Sequence, residues 1–240
     1  EYGFVIDGKP VYSEYFDAAH CTEAAEYNPA LPVLRGWDFG LTPACVLSQI
    51  TPQGFWCTFD EILATDMGAE RFSEQVLLYC NKQYPGARYE DYGDPSGQAR
   101  KDTDEKTCFQ ILQAKNINIQ ASEQEPTLRI ESVKKPLNTL INGKPQAQIH
   151  PRCKMLRKGY QGGYQFRRLM TASEKYVDKP EKNIYSHVHD ANQYVAVILF
   201  ARNLTTMTQD PALLQQNTGG ERLLDVFQHQ QQDNDFSLFG

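Results

Sequence analysis

The spacing of apolar residues changes period several times along the chain. "VLRGWDFG", "ACVLSQI" and "FWCTFDEIL" are short β-type runs, the last two separated by "TPQG", which predicts one strand followed by a hairpin. In "GAERFSEQVLLYCNKQYPG" the residues Phe72, Val76, Leu77, Tyr79 and Cys80 return at helical spacing, and Pro85-Gly86 stops the helix. "ARYEDYGDPSG" predicts a weak strand running into a tight turn. "DTDEKTCFQILQAKN" predicts a helix with Asp at its start, and "INIQA" a strand. "PTLRIESVKKPLNTLI" predicts a helix whose apolar face is Ile130, Val133, Leu137, Leu140 and Ile141, with a kink at Pro136. From Gly143 to Phe166 the chain is turn-rich with short β-type pieces, read as a hairpin or small sheet. "HVHDANQYVAVILF", His187 to Phe200, is a last buried helix.

This order is three strands, then alternating helices and strands, an inserted hairpin and a final helix. It predicts an α/β fold with a mixed central sheet flanked by helices on both faces and an inserted basic β-hairpin at about 143–168. The first strand pairs within the meander and also neighbours the later parallel strands. The expected organisation is a lead-in over 1–32, one domain over 33–204, and a Gln-, Asn- and Asp-rich tail over 205–240.

Composition agrees with one well-packed domain. Of 240 residues, 40% are hydrophobic, including 13 Tyr and 12 Phe, enough to bury a core. The longest apolar run, Tyr194 to Ala201, is too short to span a membrane, and "EYGFVIDGKP" has no basic region leading into an apolar one. The cysteines, Cys21, Cys45, Cys57, Cys80, Cys108 and Cys153, are scattered without a C-x-x-C pair, so free thiols are expected rather than a zinc cluster or redox motif. Net charge is -6, but its distribution is uneven. Between Arg129 and Lys182 there are 13 Lys or Arg against 4 Asp or Glu, while the remainder has 11 against 26. A basic third in an acidic chain has the form of a polyanion footprint, the alternative being a solvated surface.

Three aspartates sit at the ends of elements. Asp38 ends the first strand in "RGWDFG", Asp94 lies where the fourth strand turns in "YGDPSG", and Asp190 opens the last helix. Ligands gather at the carboxyl ends of strands in such sheets. Three carboxylates there repel unless a cation is present, and oxygen-only donors select Mg²⁺ or Mn²⁺ over zinc. Each residue also has a plain alternative: Asp38 and Asp94 as turn formers, Asp190 as a helix N-cap. Asp60 and Glu61, on opposite faces of the hairpin, are candidate supporting ligands or solvated strand residues. His189 is a candidate for orienting a ligand, or a loop residue. Zinc at His187 and His189 lacks a third ligand. No G-x-x-x-x-G-K-[ST] occurs, so there is no P-loop.

"RGWDFGLTPA", "YGDPSG" and "HVHDANQY", in this order and spacing, resemble the nuclease domain of the large terminase subunit of tailed double-stranded DNA phages. "KTCFQILQAKNI", "RIESVKKPLNTLING" and "IHPRCKMLRKGYQGGYQF" extend the resemblance, which runs from about Leu34 to Asn203. It implies an RNase H-like fold and a metal-dependent DNA endonuclease that cuts concatemeric double-stranded DNA at the start and end of packaging. Asp38, Asp94 and Asp190 would be the catalytic metal ligands, holding two Mg²⁺ or Mn²⁺ ions. Lys154, Arg157, Lys158, Arg167 and Arg168 would hold the DNA backbone. The implied partners are the portal protein, the small terminase subunit and an ATPase domain missing from this chain, with no membrane, in the cytoplasm of an infected bacterial host. The alternatives are another RNase H-like enzyme, such as a resolvase or transposase, and a non-catalytic module that grips DNA and docks on the portal.

Overall fold

The computed structural model describes residues 8–99, 106–169 and 175–201. The tail expected over 205–240 lies outside them. The strands are β1 (Lys9–Pro10), β2 (Val33–Asp38), β3 (Ala44–Ile50), β4 (Trp56–Leu63), β5 (Tyr89–Gly93), β6 (Ile119–Ala121), β7 (Leu140–Ile141), β8 (Lys144–Pro145), β9 (Ala147–Ile149), β10 (Gln165–Leu169) and β11 (Lys175–Pro180). The α-helices are α1 (Ala69–Gln83), α2 (Cys108–Gln113), α3 (Pro126–Asn138), α4 (Lys154–Lys158) and α5 (Ser186–Phe200).

Six strands form the central sheet in the order β6-β5-β2-β3-β4-β9. The β2-β3-β4 meander is antiparallel; β5 runs parallel to β2, β6 to β5 and β9 to β4. This is the mixed sheet that the order of elements predicts. Helices cover both faces. Leu34, Val46 and Tyr92 share one core with Ile130 and Val133 of α3 and Ala191 and Val195 of α5. Val33, Trp37, Leu47 and Phe59 share the other with Phe72 and Val76 of α1 and Phe109 and Leu112 of α2. The odd and even residues of β2 thus divide between the two cores, as pleating requires.

Four details differ from the sequence expectation. The stretch 143–168 is not a hairpin: β9 joins the central sheet, α4 and a wide turn over Gly159–Gly163 follow, and the hairpin is β10 with β11. The expected α3 ends at Asn138, so Leu140 and Ile141 fall in a two-strand ribbon, and Leu140 is 64% exposed. The lead-in packs from Gly8 onward. Tyr12 is fully buried, β1 pairs with β10, and Cys21 bridges Ile149. Finally, α2 starts at Cys108 behind a Thr107–Gln110 capping box, not at an Asp. All six cysteines are free thiols. Among the described residues no helix is long and apolar enough to cross a membrane.

Candidate active site

Pleating places Asp38. Leu34 and Gly36 face the α5 side of β2, so Asp38, two residues further, faces α5 as well. Gly36 sets how close that helix lies. A Cβ there would stand 1.9 Å from the Ala191 carbonyl oxygen, so only glycine lets α5 cross β2 at this distance. The register of β5 beside β2 is fixed from the opposite face. Arg35 donates to both Asp91 oxygens, at 2.7 and 2.9 Å, and Trp37 Nε1 donates to Asp91 Oδ1 at 2.7 Å, all buried. Trp37 thereby pairs with Gly93, and Asp94 N donates to the Trp37 carbonyl at 3.2 Å, so Asp38 and Asp94 leave neighbouring strands side by side.

The structure brings Asp38 and Asp190 together. Both are buried, at 3% and 2% exposure. His187 Nδ1 lies 2.8 Å from Asp38 Oδ2. Arg129 Nη2 donates to Asp190 Oδ1 at 3.1 Å, and Lys182 Nζ donates to Asp190 Oδ2. Burial pushes the Asp38 carboxyl up to about 6; the His187 hydrogen bond works against this, Asp190 adds to it, and Lys182 opposes it. Tyr194, one turn beyond Asp190, registers all three aspartates. Burial raises its phenol, Arg129 opposes, and Asp94, Asp190 and Asp38 each raise it further.

Asp94 stands apart in one respect. Its carboxylate accepts from Ser96 N at 2.9 Å and from Ser96 Oγ, capping the Pro95–Gln98 turn, which is the plain turn role weighed for it in the sequence. Among the described residues no three His, Cys, Asp or Glu side chains are grouped to hold one metal ion. Asp190 is also not an N-cap: α5 begins at Ser186, so Asp190 sits a turn inside the helix.

The supporting residues divide differently from expectation. Asp60 and Glu61 do face opposite sides of β4, but both have structural partners. Asp60 accepts from Tyr79 Oη at 2.8 Å and from Tyr84 Oη on the α1 side. Glu61 accepts from Met155 N at 2.7 Å and Leu156 N at 2.9 Å, closing the first turn of α4. His189 is fully buried, stacked against Tyr164 at 4.8 Å with its Nε2 3.1 Å from the Leu156 carbonyl, and burial pulls its pKa down to about 3. It is a core residue. In the helix, 187 and 189 point in different directions, and His187 is the one that reaches the aspartates.

Of the expected DNA contacts, Lys154 and Lys158 are exposed on α4, and Arg167 and Arg168 are exposed on β10. Arg157 is not presented in the same way: its Nη1 donates to the Pro151 carbonyl at 2.9 Å and its Nε is buried. Both basic elements adjoin the aspartates through α5. The Leu156 carbonyl of α4 meets His189, and Lys182, two residues past β11, meets Asp190.

Searches for a family model and for a curated relative find no match. Solved structures do match. Large terminase from a thermophilic bacteriophage aligns at TM-score 0.62 and 19% identity over 82% of this chain and 46% of that one. The P22 large terminase nuclease domain aligns at TM-score 0.57 and 10% identity over 83% of this chain and 99% of that one. The chain has the fold of a large-terminase nuclease domain. It spans less than half of the thermophilic phage terminase and nearly all of the P22 domain. The terminase-nuclease fold is RNase H-like, so its mixed sheet and flanking helices agree with the fold expected from the sequence. Nuclease domains from phage G20c, solved with cobalt and with magnesium, align at TM-scores of 0.47 and 0.44.

Proposed function

We propose that this chain is the nuclease part of a viral genome-packaging motor and cuts double-stranded DNA with Mg²⁺ or Mn²⁺. The observation that carries this is the buried Asp38–Asp190 pair at the carboxyl end of the central strand, in a terminase-nuclease fold. A buried carboxylate whose proton affinity is raised by burial and by a second carboxylate beside it forms a site that favours a cation, and oxygen donors without sulfur suit a hard one. Asp38, Asp94 and Asp190 would hold the metal ions. Asp94 would turn from Ser96, and Lys182 would release Asp190. When bound, the metals activate water and stabilise charge on the cleaved phosphodiester.

The rest falls to the chain itself. His187 fixes the orientation of Asp38. Arg129 anchors Asp190 from the core. Lys154, Lys158, Arg167 and Arg168 would hold phosphates, contacts that fix position without reading sequence. Arg157 would contribute less, because its guanidinium is engaged with Pro151. The proposal extends to cutting concatemers at the start and end of packaging, to partnership with a portal, a small subunit and an ATPase domain, and to the cytoplasm of an infected bacterium.

A second function, a non-catalytic module that grips DNA, draws support from the two cations already neutralising Asp190. Plasmid nicking in Mn²⁺ separates the two. Nicking by the wild type and none by Asp38→Asn supports the nuclease; intact plasmid with both, alongside DNA binding, supports the grip. Branched against linear DNA separates a resolvase from a packaging nuclease.

A further inference from the structure

The two cations on Asp190 differ in kind. Arg129 comes from α3, its side chain is 11% exposed, and its guanidinium lies 4.9 Å from the Tyr194 ring centre. It is part of the core. Lys182 is 69% exposed and stands in the short connection between β11 and α5, at the base of the hairpin that carries Arg167 and Arg168. Its ammonium meets Asp190 Oδ2, while the Asp38 carboxylate beside Asp190 is held by His187. Arg129 and Lys182 together offset the two carboxylates, but only Lys182 reaches outward, so its place is the one a divalent cation can take.

We propose that Lys182 is a stand-in cation, compensating the charge of Asp190 beside Asp38 until DNA draws its ammonium away and a divalent ion takes its place. This rests on the nuclease reading of the same site. The exposed stem of Lys182 lets the ammonium move to a phosphate oxygen, which offers it a charge-assisted hydrogen bond in return. Arg129, enclosed by the core, stays and keeps Asp190 oriented. DNA binding and metal binding then favour one another through one side chain, and by linkage each raises the affinity of the other by the same factor. Without DNA, Lys182 competes with the metal, so a higher ion concentration is needed to fill the site.

The experiment is calorimetric titration of Mn²⁺ into the wild type, Lys182→Met, Lys182→Arg and Asp38→Asn. Lys182 is exposed, so its variants should fold. Lys182→Met is expected to bind Mn²⁺ on the order of 10-fold more tightly than the wild type, while Lys182→Arg, which keeps the charge, stays near it. Equal or weaker binding by Lys182→Met overturns the stand-in role; the nuclease reading survives that result if the wild type binds and Asp38→Asn does not. No Mn²⁺ binding by any of these proteins overturns both. A short duplex, titrated with Ca²⁺ so that it survives, should tighten ion binding in the wild type and lose that effect in Lys182→Met. Equal tightening in the two proteins would remove DNA as the releasing agent.

Discussion

His187 Nδ1 lies 2.8 Å from Asp38 Oδ2, and three residues along the same helix Asp190 presents its carboxylate to the same region. Residues three apart share a helical face, so one turn of α5 supplies both a partner that orients Asp38 and the charge that repels it. The geometry of the site therefore depends on where α5 crosses β2, and that is set by the close approach at Gly36.

Asp38→Asn should separate stability from activity. The folded Asp38 titrates near 6, above the ordinary carboxyl value. A raised folded pKa contributes stability that is complete below about 4 and is lost as pH rises through 6. The neutral amide escapes that loss. The melting temperature of the variant, relative to wild type, should thus be higher at pH 7.5 than at pH 4. Plasmid cleavage should fall about 10³-fold or more. Thermal melts at the two pH values and a cleavage time course check both halves; a constant melting difference would refute the raised pKa.

Gly36→Ala should push α5 away from β2, because the new methyl meets the Ala191 carbonyl. Overpacking of this kind costs about 3 kcal/mol. Urea unfolding at neutral pH measures the loss, and cleavage by the folded fraction should drop as Asp190 moves from Asp38. Parental stability would mean that the helix does not need this contact.

His189 predicts an acid-sensitive core. Its folded pKa is pulled down to about 3, so between 6.5 and 3 the unfolded chain takes up a proton that the native chain refuses. Stability from this group falls as pH falls, by about 2 kcal/mol from pH 7 to pH 5. In His189→Gln the variant should start less stable, having lost the ring stack on Tyr164, yet lose less between those pH values. Urea midpoints at pH 7 and pH 5 for both proteins test this; parallel losses would count against it.

The exposed basic residues should dominate DNA affinity. Replacing Lys154, Lys158, Arg167 and Arg168 with Ala is expected to weaken binding to all sequences alike and to flatten the salt dependence by roughly one log-log unit per lost phosphate contact. Arg157→Ala alone should change the slope little, since its guanidinium serves the Pro151 carbonyl. Filter-binding across a salt series distinguishes these. An unchanged slope in the quadruple variant would place the DNA elsewhere.

Much of the fold is legible in the sequence because its strands and long helices are written in periodic apolar residues: the β2-β3-β4 meander, α1 and α5 lie where those periods are. The stretch 143–168 is not. Its order comes from distant partners, with Glu61 capping α4 and β4 receiving β9, and neither leaves a local pattern. The ion pair of Arg35 and Asp91 escapes sequence reading for a related reason, since a charged residue inside a strand reads as solvated unless its partner on another strand is known. At the site, element ends point to Asp38, Asp94 and Asp190, and the structure brings Asp38 and Asp190 together. The two histidines look alike in the sequence as candidates near Asp190, but helical geometry sends His189 into the tyrosine cluster and His187 to Asp38.

The central claim is that Asp38, Asp94 and Asp190 hold divalent metal, and anomalous diffraction from Mn²⁺-soaked crystals tests it most directly. Manganese peaks are expected within coordination distance of Asp38 and Asp190, with Asp94 turned from Ser96 toward them and Lys182 withdrawn. Crystals that remain ordered at saturating Mn²⁺ but show no peak there, with Lys182 still on Asp190, would contradict it.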